Sequence, residues 1–165
     1  MKRFAAILLI FALLLSGCSV FGSRIKEPVT FYYVQSSYQY GSDSPVIVTE
    51  TREASGRMHD LPYLIRLYLT GPLEDGRESP FPRSVTLVSV GRTEDTVEIT
   101  LSDSAASLSD AQYSLACACL SLTCINITGA EDVRISSADR SITLSASDLM
   151  LTDQIAEIQT VEETQ

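Results

Sequence analysis

His59 is the only histidine among 165 residues. Any Ser-His-Asp or Cys-His device in this chain must therefore use it. It stands directly before Asp60-Leu61, where a helix is expected to begin, and no Gly-x-Ser-x-Gly sequence accompanies it. A zinc site would lack imidazole partners. Cys117, Cys119 and Cys124 form the second group with chemical potential. On one helix Cys117 and Cys124 would lie about 10 Å apart along the axis, beyond disulfide reach. Cys117 and Cys119 would point to different sides. Three is also an odd number for a paired framework, so these thiols are expected to pack as small apolar residues. The 21 acidic residues show no signalled carboxylate pair. Glu74, Asp75, Glu94 and Asp95 fall in loops without EF-hand spacing, and no glycine-rich phosphate loop occurs. The expectation is a protein with no cofactor, no metal and no catalytic residues. A cell-wall hydrolase would instead need His59 or paired acids in a cleft.

A fourth cysteine, Cys18, has a different setting. Met1-Lys2-Arg3 is positive, and Phe4 to Leu15 is apolar. As a helix that run would reach about 18 Å, short of a hydrocarbon core of about 30 Å. Small residues follow it, as at a signal cleavage site. Leu15-Ser16-Gly17-Cys18 resembles the lipobox of bacterial lipoproteins. That likeness implies a signal peptide over 1–17 and a diacylglycerol on the Cys18 thiol. The chain would then be held at the extracytoplasmic face of the cell membrane, and two or more acyl chains make such anchoring stable.

The formal charge is −9. Lys2 and Arg3 leave with the signal, which holds no acid, so the mature chain carries −11. Nucleic acid is excluded as a partner, because phosphate contacts need clustered Lys and Arg. A basic patch on anionic lipid is equally disfavoured. No other stretch reads as a membrane span. The expected organisation is a lipidated tether over 18–28, one domain over 29–151 and a flexible acidic tail over 152–165.

Within the domain, Val29–Val34 and Val46–Thr51 read as strands of a hairpin, rich in β-branched and aromatic residues. Tyr38 and Tyr40 lie near its tip, positions suited to a partner or to their own sheet. Asp60 is an expected N-cap, and Pro62 is tolerated in a first turn. Leu61, Leu64, Ile65 and Tyr68 keep helical spacing. Gly71 is the expected C′ residue and Pro72 stops continuation. A stiff loop with Pro80 and Pro82 leads to a strand over Val85–Val90. Val97, Ile99 and Leu101 alternate with Thr96, Glu98 and Thr100, which predicts a half-buried strand. Ser109 and Gln112 form an expected capping box. The helix that follows carries Leu108, Ala111, Leu115, Ala118, Cys119 and Leu122 on one face but is apolar nearly all round, implying deep burial. Val133–Ile135 and Ser141–Leu144 read as a second hairpin, and Asp148–Leu151 as a short edge segment.

This order resembles the GerMN domain, named for a spore-germination and sporulation protein. The likeness is carried by Leu69-Thr70-Gly71-Pro72, Pro82-Arg83-Ser84 and Leu101-Ser102, over about residues 29–136. It implies an α/β (α+β) domain, a small mostly antiparallel sheet with two helices packed on it. It also implies a non-catalytic protein-interaction part in sporulation, germination or cell-envelope assembly. Envelope or sporulation proteins are the implied partners, or self-association, as in similar ring-building modules. Gly71, Pro72 and Pro82 are the motif residues. A ligand- or solute-binding surface lipoprotein is the alternative.

Overall fold

The computed structural model describes residues 27–37 and 45–149. Cys18, most of the expected tether, Tyr38, Tyr40, Leu151 and the acidic tail lie outside the described residues. Among the described residues, seven strands, two α-helices and one 3-10 helix make an α+β fold. β1 (Pro28–Gln35) and β2 (Ile47–Glu53) form the expected antiparallel hairpin. A two-residue β3 (Arg77–Glu78) pairs on the other side of β1, giving the order β2-β1-β3. A second sheet has the order β4-β5-β6-β7, with β4 Leu87–Arg92, β5 Thr96–Leu101, β6 Asp132–Ser137 and β7 Arg140–Ser145. The two hairpins β4/β5 and β6/β7 are antiparallel, and β5 pairs with β6 in parallel. A parallel pair needs a long crossover. Here the 3-10 turn Asp103–Ser107 and helix α2 (Asp110–Thr128) supply it.

Helix α1 (Leu61–Leu69) begins at Asp60, whose carboxylate accepts from the Tyr63 N–H at 3.0 Å. Arg57 donates to the same carboxylate, and with the Tyr63 N–H this holds the Asp60 acid below its ordinary range. Leu64, Ile65 and Tyr68 are its buried face, the spacing that an amphipathic helix requires.

Helix α2 is long and apolar enough to cross a bilayer, but here it is a core helix between the two sheets. It packs on β1 from the first sheet and on β6 and β7 from the second. The Ser109–Gln112 capping box opens it, and Gly129 closes it at φ 68°. Its buried face differs from the expected one. Tyr113, Ala116, Cys117, Cys119, Leu120, Ser121 and Cys124 are buried, and so is Thr123, which meets β1 at the Tyr32 N–H. Ala111 is exposed, while Leu115, Ala118 and Leu122 are half-buried. The cause is composition: apolar and small polar residues encircle the helix, so periodicity carries no direction. Packing buried the side that carries Ala116, Cys117, Cys119, Ser121 and Cys124.

Three other boundaries moved. The strand expected over Val85–Val90 starts at Leu87, because the Val85 N–H turns back to the Pro82 carbonyl at 3.0 Å. β2 runs two residues further than expected, through Arg52 and Glu53. Residues 146–149 form a helical turn instead of an edge segment. Ser145 and Asp148 cap it reciprocally, both contacts being 3.1 Å, which is the capping-box chemistry in short form.

Candidate functional site

A buried charge pair organises the segment that carries the motif residues. Glu50 and Arg52 alternate with Thr49, Thr51 and Glu53 on β2, so both point into the domain. Glu50 is 2% exposed and Arg52 7%. The Arg52 Nε donates to Glu50 Oε1 at 2.5 Å. Its Nη2 donates to the Tyr33 hydroxyl at 3.0 Å and to the Gly71 carbonyl. Its Nη1 leans on the Leu67 carbonyl and the Thr70 hydroxyl at 3.4 and 3.5 Å. The guanidinium also stands 5.4 and 5.6 Å from the ring centres of Phe31 and Tyr33, within cation–π range.

These contacts answer a requirement of α1. The last carbonyls of a helix have no partner inside it, and that end carries partial negative charge. The Tyr33 hydroxyl donates to the Tyr68 carbonyl at 3.1 Å, and Arg52 takes the Leu67 and Gly71 carbonyls on either side of it. A cation is thus buried where the helix end stabilises it. Tyr33 and Tyr68 stack at 4.9 Å with 5° between their planes. Burial, against the pull of Arg52, pushes the Tyr33 phenol far up, so it stays a donor.

Glu50 completes the arrangement from the other side. Its carboxylate accepts from the Leu73 N–H at 3.1 and 3.0 Å and from the Glu74 N–H at 3.0 Å. Burial alone would raise this acid. The Glu74 N–H, the Arg52 side chain and the Leu73 N–H together outweigh it, and the carboxyl lies below its ordinary value. Glu50 and Arg52 therefore clamp both ends of Gly71-Pro72-Leu73-Glu74. Gly71 takes φ 89° there, a conformation that costs other residues strain.

The clamped turn forms one wall of an open cleft of about 540 Å³. Gly71 and Pro72 line it with Thr70, and Ser79 to Pro82 face them. Gly71, Pro72 and Pro82, separated in sequence, are thereby brought together. The second wall is stiffened too. The Ser79 hydroxyl donates to the Phe81 carbonyl at 2.9 Å, and Phe81 is anchored in the core. The third motif segment holds this wall to the second sheet. The Ser102 N–H donates to the Thr86 carbonyl at 2.9 Å, and the Ser102 hydroxyl accepts from the Thr86 N–H at 3.0 Å.

The remaining candidates stay apart. His59 is exposed, one residue before the α1 cap. Glu74, Asp75, Glu94 and Asp95 are all exposed. No group of three metal-ligating side chains occurs among the described residues. Cys117, Cys119 and Cys124 are buried free thiols, and burial pushes each up to about 12. Thiols so raised are poor nucleophiles. Sequence reasoning missed Glu50 and Arg52. The signal was available: Val48, Glu50, Arg52 and Ala54 share one strand face, with two opposite charges between apolar residues.

No family model and no curated protein matches this chain. Solved structures do, among them the following two. The tandem GerMN domains of the sporulation protein GerM from Bacillus subtilis match with TM-score 0.52 and 21% identity, covering 68% of this chain. The chain spans 39% of the length of that structure. A candidate lipoprotein from Clostridium perfringens matches with TM-score 0.46 and 18% identity, over 73% of this chain and 88% of its own. The fold of this chain is GerMN-like.

Proposed function

We propose that this chain is a lipid-anchored extracytoplasmic docking module that presents the cleft of Gly71, Pro72 and Pro82 to an envelope or sporulation protein. The carrying observation is the Glu50–Arg52 clamp. It commits a buried ion pair, costly to desolvate, to fixing a surface turn that performs no chemistry of its own. A rigid, partly apolar concave surface is what a protein partner needs, since preorganisation lowers the cost of binding. The lipobox-like Leu15–Cys18 supports presentation at the membrane. The role is non-catalytic, and no step requires a cofactor or metal.

The cleft volume also falls within the usual small-molecule range, so a solute is the second reading. Both are separated by one experiment. Metabolic palmitate should label the wild type and not Cys18→Ala. Affinity recovery from membranes should yield one protein partner with the wild type, and lose it when Glu78→Trp blocks the cleft. Persistent label on Cys18→Ala removes the anchor. Recovery of a bound small molecule without a protein partner favours the solute.

A further inference from the structure

A second cleft lies beside the first, between the last turns of α1 and the start of β4. It has a volume of about 440 Å³ and is lined by Arg66 and Leu69 from α1, by Thr70 that caps it, and by Arg83, Val85 and Leu87 opposite. Leu69, Thr70 and Arg83 also line the first cleft, so the two are continuous around Arg83.

The eight described arginines are the only Lys or Arg side chains among the described residues. Six are engaged. Arg52, Arg57, Arg77 and Arg140 make ion pairs. Arg92 donates to the Thr128 carbonyl at 2.8 Å and Arg134 contacts the Ser141 hydroxyl at 3.4 Å. Arg66 and Arg83 make no hydrogen bond or ion pair with any described residue. Both are exposed, and both border this one cleft. In a chain of net charge −9, two guanidinium groups with no ion-pair partner among the described residues, at one partly apolar opening, form a local cationic site.

We propose that this cleft binds an acidic peptide segment of a partner protein, with carboxylates received by Arg66 and Arg83 and an apolar side chain between Leu69 and Leu87. The proposal rests on the docking function above and names the chemistry of its ligand. A guanidinium fork matches a carboxylate in a bidentate pair. A peptide fits the opening better than inorganic phosphate, because its apolar side chain would also cover the half-buried Leu69 and Leu87. Two arginines fall short of the four to eight basic residues that hold a protein on anionic lipid. β4 offers the peptide backbone a place as well. Among the described residues it pairs only with β5, and Val88 stands 63% exposed at the bulge between Leu87 and Ser89. An edge strand of this kind accepts an extended segment.

The test uses the full chain in neutral detergent and a hexapeptide of alternating leucine and glutamate carrying an uncharged dye, read by fluorescence anisotropy. The wild type should bind it saturably. R66Q/R83Q, which removes no hydrogen bond or ion pair among the described residues and should melt within a few degrees of the wild type, should bind at least 10-fold more weakly. So should R83Q alone to a lesser degree, and so should the peptide with glutamine in place of glutamate. No saturable binding by the wild type, equal binding of the glutamine peptide, or unchanged binding by R66Q/R83Q overturns the proposal. Saturable binding of inorganic phosphate or of phosphatidylglycerol vesicles without binding of the peptide also overturns it. The docking function fails separately: a membrane partner recovered equally by wild type and R66Q/R83Q leaves docking intact and removes only this site.

Discussion

Arg52→Met keeps the length and apolar stem of the side chain and removes the guanidinium. Five contacts disappear: those to Glu50, the Tyr33 hydroxyl, the Gly71 and Leu67 carbonyls and the Thr70 hydroxyl. Glu50 is left as an uncompensated acid in a site 2% exposed. Removing one partner of such a pair costs about 3–5 kcal/mol. For a chain of this size, about 2–4 °C is lost per kcal/mol, so the melting temperature should fall by roughly 6–20 °C. Glu50→Leu alone leaves Arg52 buried without its carboxylate and should cost a similar amount. The double variant Glu50→Leu/Arg52→Met removes both charges together. It should lose at least about 2 kcal/mol less than the sum of the singles, within the range seen for residues in one network. Urea unfolding of the four proteins gives the cycle. The pH dependence adds an independent check. Glu50 has a lowered folded value. Its stabilising contribution is therefore present above its unfolded value and is lost as pH falls through the folded one. Without Arg52 that lowering is smaller, so the deficit of Arg52→Met should narrow from pH 7 toward pH 4. A melting temperature within 2 °C of the wild type (about 1 kcal/mol at most), or strictly additive singles, refutes the clamp.

Other perturbations probe the parts that hold the clamp in place. Thr123 on α2 accepts from the Tyr32 N–H at 3.0 Å and donates to the Cys119 carbonyl at 2.9 Å. Thr123→Val keeps the shape and strands the β1 donor, so unfolding experiments should show a loss of about 1–3 kcal/mol. Gly71→Val places a β-branched residue at φ 89°, where the added Cβ would lie an ordinary 3.7 Å from Ser79. The cost is then backbone strain, about 1–3 kcal/mol; an unaltered melting curve would contradict it. Cys117, Cys119 and Cys124 are buried, with thiols raised to about 12. At pH 8 none should react with a thiol reagent in the native protein, and all three should react in denaturant. Rapid native labelling would mean that α2 is not a core helix.

Local chemistry made much of this fold legible. Asp60, Pro62 and Gly71 bracket α1 by the groups their positions require, and Ser109 with Gln112 opens α2 in the same way. Val97, Ile99 and Leu101 showed their buried side because Thr96, Glu98 and Thr100 made the alternation unambiguous. The opposite held for α2, where Ala, Cys, Ser and Leu surround the axis and only tertiary packing selects a face. β3 has two residues and no pattern at all. The parallel pairing of β5 with β6 joins strands separated by a helix, which adjacency in sequence does not report. Glu50 and Arg52 were hidden by expectation: charged residues on a strand read as solvent-facing until a helix end needs a cation. The motif residues Gly71, Pro72 and Pro82 were visible as a set, but the reason for the set lay in a strand some 20 residues earlier.

The central claim is that the cleft between Gly71-Pro72 and Ser79–Pro82 is where another protein docks. Glu78 is exposed on its rim, and Thr143 is exposed on the outer face of the second sheet. A photoreactive phenylalanine analogue placed at each position in cells expressing the full chain compares them directly. The account predicts one discrete protein adduct from position 78 and none from position 143, with the adduct at 78 lost in the Arg52→Met background. No adduct at 78, or the same adduct from both positions, would contradict it.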